Sequence, residues 1–364
     1  MKIILNAVLA YENPRGVGRY INNLLYELSE TENDIYVIYG KWMSNYSFTK
    51  IKKENFHLIE LDIPNNKILR NLYLSIILPI KICKYKADLY HVLDTSPNFL
   101  KFMPMVSTIH DLAEFEVPEK YGNIQAFLRR IYVRLQIKMS DYIITVSNYT
   151  KNDIINRFNI DSNKIYVTYE DTDNKISLPN FRNYKKYFLF VGEIEKTKNV
   201  QAIIEAFNLL PKEYKNEYEV RLVGKKGNDF ENVINIINKY KLNSKVKFYD
   251  YVSEEELFNM YKEAFAFVFP SKFEGFGLPV LEAMRMNIPV ICSNKTSIPE
   301  VGGDAVLTFD PTCYEHLKNH MLNIILKNEL REELILKGEV RASDFSWKFT
   351  TEKTLDCYRK VVKK

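Results

Sequence analysis

The sequence lacks several features that would each fix a class at once. Its four cysteines, Cys83, Cys292, Cys313 and Cys357, are far apart and none forms a C-x-x-C pair. That spacing argues against a zinc site or a disulfide framework and for a reducing, cytoplasmic compartment. No stretch reaches the roughly 18 consecutive apolar residues of a membrane span. The nearest, ILRNLYLSIILPIKIC at 68–83, is broken by Arg70 and Pro79 and reads as a buried helix, with a membrane-surface contact as the weaker reading. Charge of one sign is not in large excess. Lys and Arg number 51 against 46 Asp and Glu, a net +5 that suits phosphate-bearing ligands or an anionic membrane face and does not call for nucleic acid. The opening MKIILNAVLAYENP has one lysine and a short apolar run, so a first buried strand is the better reading than a signal peptide.

What is present is globular: 46% hydrophobic and 27% charged residues over 364 positions, enough for two domains of roughly 150–200 residues each. In the first half, β-rich runs (KIILNAVL, DIYVIYG, DLYHVL, MVSTIH, DYIITVS) alternate with helical stretches such as GRYINNLLYELSE and IQAFLRRIYVRLQIKMS. Polar, aperiodic EDTDNKISLPNFRNYKK at 170–186 looks like a linker, and the alternation then restarts with YFLFVG, EVRLVG, VKFYDYV, AFVFP and PVICS. Strand and helix in turn predict parallel sheets covered on both faces, an α/β chain of two Rossmann-like domains. The expected boundaries are 1–172, a linker at 173–186, 187–345, and a basic C-terminal helix at 346–364.

One stretch carries chemistry. FEGFGLPVLEAM, 273–284, sets Glu274 and Glu282 on either side of a nearly uncharged run. AFVFPS ends a strand, SKFEGFG is a loop, and Pro279 suits the first turn of a helix. Gly275 and Gly277 let the backbone approach a ligand, so free amides around Gly277, Leu278 and Val280 are expected to meet an anion at the positive end of that helix. The two carboxylates are spaced to grip different parts of one extended ligand, each able to accept two hydroxyls. The rival is structural: a solvated loop acid and an ordinary helix-start acid. GVGRYI has a G-x-G without a third glycine and stands well after the first strand, so a nicotinamide site is not expected.

The segment PSKFEGFGLPVLEAMRMNIPVICSNKTSIPEVGGDAVLTFDP, 270–311, closely resembles the signature of family 4 of the retaining glycosyltransferases, whose hallmark is Glu, seven residues, Glu. GVGRYINNLLYEL, STIHDLAEFEVPEKY, SDYIITVSNYTKNDI and FVGEIEKTKNVQAIIEAFNLL resemble, in order, the family's other segments. The resemblance implies a GT-B fold, two Rossmann-like doubly wound domains facing each other across a cleft, with a C-terminal helix returning to the N-domain. It implies that Glu282 binds the ribose of a nucleotide-sugar donor and Glu274 the transferred sugar. Gly275, Phe276, Gly277 and Leu278, with Lys198, would lie at the diphosphate, and Gly16 and Val17 near it. His110 would stand beside the reacting bond, and Tyr251 and Val252 would flank the base. Its implied activity is a retaining, metal-independent hexosyltransferase, with mannose or a similar sugar preferred, without a cofactor. The implied partners are the donor, a glycan or lipid-linked acceptor and, at the periphery, an anionic membrane. DTD at 171–173 falls in the linker rather than at a strand end, so no divalent ion is required. A silent GT-B scaffold and a nucleotide-sugar 2-epimerase are the alternatives. Departures stand at Glu193 and Thr197, where relatives often carry arginine, and at TYEDTD, which replaces an Asn-Gly turn. Acceptor specificity is expected in the loops Tyr11 to Arg15 and Leu93 to Pro97.

Overall fold

The first buried run, KIILN, forms β1 (Lys2–Asn6), whose Ile3, Ile4 and Leu5 have no exposed surface. A strand apolar on both faces is stable only within a sheet covered on two sides. It pairs in parallel with β2 (Asp34–Gly40) and with β4 (Leu89–Val92). Beyond β2 lies β3 (Phe56–Leu61), and beyond β4 lie β5 (Met105–Ile109), β6 (Tyr142–Thr145) and β7 (Ile165–Val167). The order β3-β2-β1-β4-β5-β6-β7 reverses its direction of growth between β1 and β4. This computed structural model describes residues 1–8, 16–43, 45–97, 99–172 and 184–363. Most of the expected linker and the loop from Tyr11 to Arg15 lie outside those residues.

The second sheet is built alike. β8 (Tyr187–Val191), β9 (Glu219–Val223), β10 (Val246–Tyr249), β11 (Ala266–Phe269), β12 (Val290–Ser293) and β13 (Val306–Phe309) pair in parallel in the order β10-β9-β8-β11-β12-β13. Its growth reverses between β8 and β11, and in open α/β sheets ligands bind past the carboxyl ends of the strands at such a reversal. The β-rich run VKFYDYV is a strand only as far as Tyr249, and Tyr251 and Val252 follow the strand end, as expected. Strands β3, β7 and β13 carry no comparable apolar run, and the sequence did not announce them.

The chain forms two compact units, Met1–Asp173 with Phe345–Lys364, and Asn174–Asp344. The last helix, Trp347–Val362, is capped by Ser346, whose hydroxyl accepts the Phe349 amide at 3.1 Å. It returns to the first sheet, where Tyr358 is fully buried and its hydroxyl meets His91 Nδ1 at 2.6 Å.

The segment read as a buried helix is corrected in two respects. It runs as α-helix Lys67–Leu72, a π-helical turn Tyr73–Ile77 and α-helix Leu78–Ile82. Pro79 has no N–H for the Ser75 carbonyl four residues back, and that carbonyl instead accepts the Phe99 amide at 3.3 Å. Only one face is buried, by Tyr73, Leu74, Leu78 and Ile82; Ile68, Leu69, Leu72, Ile76, Ile77 and Ile80 are exposed. Periodicity marked the residues as apolar but did not show which would be covered.

Candidate active site

In the second unit the predicted groups gather where the sheet reverses. Lys198 follows β8 and Glu274 follows the adjacent β11, and the Lys198 ammonium donates to Glu274 Oε1 at 2.5 Å. Their side chains are 18% and 14% exposed, so the pair is largely sheltered from water while reachable by a ligand. The loop that carries Glu274 is tied down on both sides. The Thr197 carbonyl accepts the Lys272 amide at 2.7 Å and the Ser271 hydroxyl at 3.1 Å. Thr296 Oγ1 accepts the Glu274 amide at 3.1 Å, and the buried Ser297 hydroxyl lies 3.0 Å from the Glu274 carbonyl and 2.7 Å from that of Phe276. Thr197 therefore anchors this loop from the position where arginine was expected, and Glu193 is exposed.

The helix after this loop, Leu278–Arg285, starts with Gly277 at φ 113° and has Pro279 in its first turn. That φ lies in the region glycine adopts without strain. One expectation fails here: the Val280 amide is not free, because it donates to the Gly277 carbonyl at 2.9 Å. Gly277 and Leu278 stand at the N-terminal end of this helix, beside Gly275 and the buried Phe276. Glu282, one turn on, accepts the Tyr261 hydroxyl at 2.9 Å. Tyr261 is buried on helix Glu254–Glu263 and was not foreseen; no local pattern couples it to Glu282, since the contact is tertiary. Tyr251 is 76% exposed and Val252 half-buried, in the loop after the edge strand β10.

In the first unit His110 directly follows β5 and is buried. Its Nε2 lies 3.0 Å from the Leu93 carbonyl and its Nδ1 3.3 Å from Glu170 Oε1. A carbonyl oxygen and a carboxylate are both acceptors, so this setting favours a proton on each ring nitrogen. Burial alone would lower the His110 pKa. The hydrogen bond and charge of Glu170, the charge of Asp94 and the Leu93 carbonyl outweigh it, and the net shift is upward. Tyr20 presses its ring edge-on at 4.8 Å between centroids, and the Thr150 hydroxyl donates to the His110 carbonyl at 3.2 Å. Neighbouring His91 is neutral: burial, then repulsion from His110, pushes its pKa down to about 3. Glu170 lies in the stretch that looked like a linker, yet Glu170, Asp171 and Thr172 are all buried. Gly16, at φ 52°, precedes helix Val17–Ser29; Gly16 is exposed and Val17 half-buried.

Two doubly wound parallel sheets, the second with Lys198 and Glu274 collected past the strands where its order reverses, define a two-domain protein of GT-B build. The chain belongs to the family 4 glycosyltransferases: residues 14–170 match the model "Glycosyltransferase Family 4" and residues 171–341 match "Glycosyl transferases group 1". It is similar to O-antigen chain mannosyltransferase B of Escherichia coli, 32% identical over 291 residues that make 76% of this chain and 75% of that one. It is also similar to the O-antigen chain mannosyltransferase RfbU of Salmonella typhimurium, 31% identical over 221 residues, 60% of each chain. Among solved structures, sucrose-phosphate synthase from Thermosynechococcus elongatus superposes with a TM-score of 0.77 at 20% identity, covering 99% of this chain and 98% of the other. WaaG, a glycosyltransferase involved in lipopolysaccharide biosynthesis, gives 0.75 at 15% identity over 97% and 98%. These likenesses show the two-domain GT-B fold, and the family makes the chain a glycosyltransferase.

Proposed function

We propose that the chain is a retaining, metal-independent hexosyltransferase of polysaccharide biosynthesis. It moves mannose or a similar sugar from a nucleoside diphosphate to a glycan or lipid-linked acceptor, at the inner face of an anionic membrane and without a cofactor. The likeness to two O-antigen chain mannosyltransferases supports the sugar and the pathway. The observation that carries the reading is the Lys198–Glu274 pair beside the start of helix Leu278–Arg285. Without donor, the ammonium and the carboxylate satisfy each other. With donor, Lys198 and the amides of Gly277 and Leu278 hold the diphosphate, and Glu274 turns to sugar hydroxyls. Glu282, oriented by Tyr261, takes the ribose hydroxyls. Fixed donors of this kind stabilise charge that grows on the leaving diphosphate. His110, held by Glu170, is the first-unit residue to which this reading gives a role at the reacting bond.

In the reaction the bond from the anomeric carbon to the phosphate oxygen breaks and a bond to the acceptor oxygen forms on the same face. The acceptor's proton passes to a phosphate oxygen of the departing diphosphate. The test is turnover of a panel of nucleoside diphosphate sugars, with and without chelator, followed by assignment of the product anomer by NMR. A retained linkage formed equally well with chelator is the expected result. An inverted linkage, or activity that disappears on metal removal, overturns the reading.

A further inference from the structure

A cavity of about 1080 Å3 opens in the first unit between the helical stretch that starts at Lys67, the segment 94–99 and the beginning of helix Asn123–Met139. Its rim is apolar and wet. Ile68 and Ile124 are 79% and 78% exposed, with Leu72, Phe99 and Leu128 beside them. Further exposed apolar side chains, Leu69, Phe102 and Phe127, continue the same three segments outside the cavity. Large apolar residues scattered singly need no explanation, whereas a cluster around a hollow marks a binding surface.

The lining changes character inward, where Arg70, Asp94 and Arg129 stand half-buried. The Nε atoms of Arg70 and Arg129 are buried without a hydrogen-bond acceptor among the described residues; Arg129 lies over the Tyr121 ring, has a carboxylate oxygen of Glu114 3.5 Å from its Nε, and also feels the charges of Asp94 and Asp111. Charge is segregated as well. Residues 67–86 hold five Lys or Arg and no acid, and residues 120–138 hold the same, against a net charge of only +5 for the whole chain. An occupant with a long apolar part and an anionic part matches the exposed apolar rim and the two unaccepted guanidinium Nε atoms. Asp94 directly follows Leu93, whose carbonyl holds His110, so the polar end of the occupant would sit next to that side chain.

We propose that this cavity receives the hydrocarbon chain and phosphate of a lipid-phosphate-linked acceptor: the chain lies against Ile68, Leu72, Ile124 and Leu128, and the phosphate meets Arg70 and Arg129. The proposal rests on the glycosyltransfer reading for its place in the reaction, but not for the binding itself. The first measurement is therefore calorimetric titration of the full chain with decyl phosphate, decanol and inorganic phosphate. Decyl phosphate is expected to bind saturably and at least tenfold more tightly than either fragment. The doubly substituted Ile68→Asp, Ile124→Asp variant is expected to bind it at least tenfold more weakly with unchanged thermal unfolding, since both side chains are exposed. The Ile68→Ser, Ile124→Ser pair, which brings no new charge, is expected to show a smaller loss of the same sign.

In transfer assays, the aspartate variant is expected to raise KM at least tenfold for a glycan on a long-chain lipid phosphate. The same glycan on a methyl group, and donor hydrolysis, are expected to be unaffected. Absence of decyl phosphate binding by the parent, or equal binding by parent and variants, overturns the proposal. So does a variant that sediments less with anionic phospholipid vesicles while keeping decyl phosphate affinity and KM, because the face would then be a general membrane contact. A parent that binds decyl phosphate but turns over no donor sinks the glycosyltransfer reading and leaves the site standing.

Discussion

An imidazole whose Nε2 proton points at the Leu93 carbonyl and whose Nδ1 faces the Glu170 carboxylate has no lone pair left for an incoming hydroxyl proton. His110 is thus placed to favour its protonated form rather than to act as a base, and Glu170 is the positioning residue that favours that form. In Glu170→Gln the burial penalty acts with less opposition, so the His110 pKa falls. The alkaline limb of a pH–turnover profile should then move to lower pH, whereas a purely structural role for Glu170 would lower the whole profile without moving it. The stability effect has a definite sign. A histidine whose folded pKa is raised contributes stability in full below its ordinary value of about 6.5 and loses it as pH rises through the folded value. The unfolding deficit of the variant should therefore be largest in mild acid and shrink toward alkaline pH. At Glu282 the prediction is a difference between two variants. Tyr261→Phe removes one hydrogen bond to a carboxylate, about 1.5–3 kcal/mol, and should weaken nucleoside diphosphate binding about tenfold or more by calorimetry. Glu274→Ala should leave that affinity nearly unchanged and lower turnover of the intact donor.

Two glycines at strand and helix ends separate conformational strain from crowding. Among the described residues a Cβ on Gly277 would meet only Ile298 Cγ1, at 3.8 Å, so Gly277→Ala suffers chiefly from its φ of 113° and should cost about 1–2 kcal/mol. A Cβ on Gly224, just past β9, would lie 2.0 Å from the Gly192 carbonyl oxygen, with φ 142° in addition. Gly224→Ala forces two backbone segments apart and should cost about 2–4 kcal/mol, at least twice the other, in thermal or denaturant unfolding. What the sequence revealed at this scale follows from where each element's stabilisation comes from. β1 and β11 are apolar on both faces, so KIILN and AFVF identify themselves before any neighbour is known. β3 lies at the edge of its sheet with only Phe56 and Ile59 buried, and β13, at the edge of the other, buries only Val306 and Phe309. FHLIEL and VLTF are recognisable only once their partners are in place. The site divides the same way. Glu274, Glu282 and His110 stand at chain positions that local pattern marks, whereas Tyr261 and Glu170 reach their partners across 21 and 60 residues and leave no local trace.

The first unit is discontinuous in sequence and the second is not, and this difference should be visible in how the pieces fold. Helix Trp347–Val362 fills the first unit's core with Trp347, Cys357, Tyr358 and Val361, all buried, and Trp347 meets the Tyr20 ring at 6.0 Å between centroids. At about 1.5–3 kcal/mol for each large apolar side chain buried, these four contribute roughly 6–12 kcal/mol. That is comparable to the whole stability of an ordinary domain, about 5–15 kcal/mol. Removal of the helix also strips the Tyr358 hydroxyl from His91 Nδ1, leaving a buried polar atom without its partner. Residues 1–172 made alone should therefore lack a cooperative thermal transition and near-ultraviolet circular dichroism. A peptide spanning 345–364, added in trans, should restore both, and the same peptide with Tyr358→Ala should not. Residues 184–344 keep an unbroken second sheet with its helices and should unfold cooperatively without help. A first fragment that folds by itself would show that the returning helix is an appendage rather than part of the core, against its burial and the His91 contact.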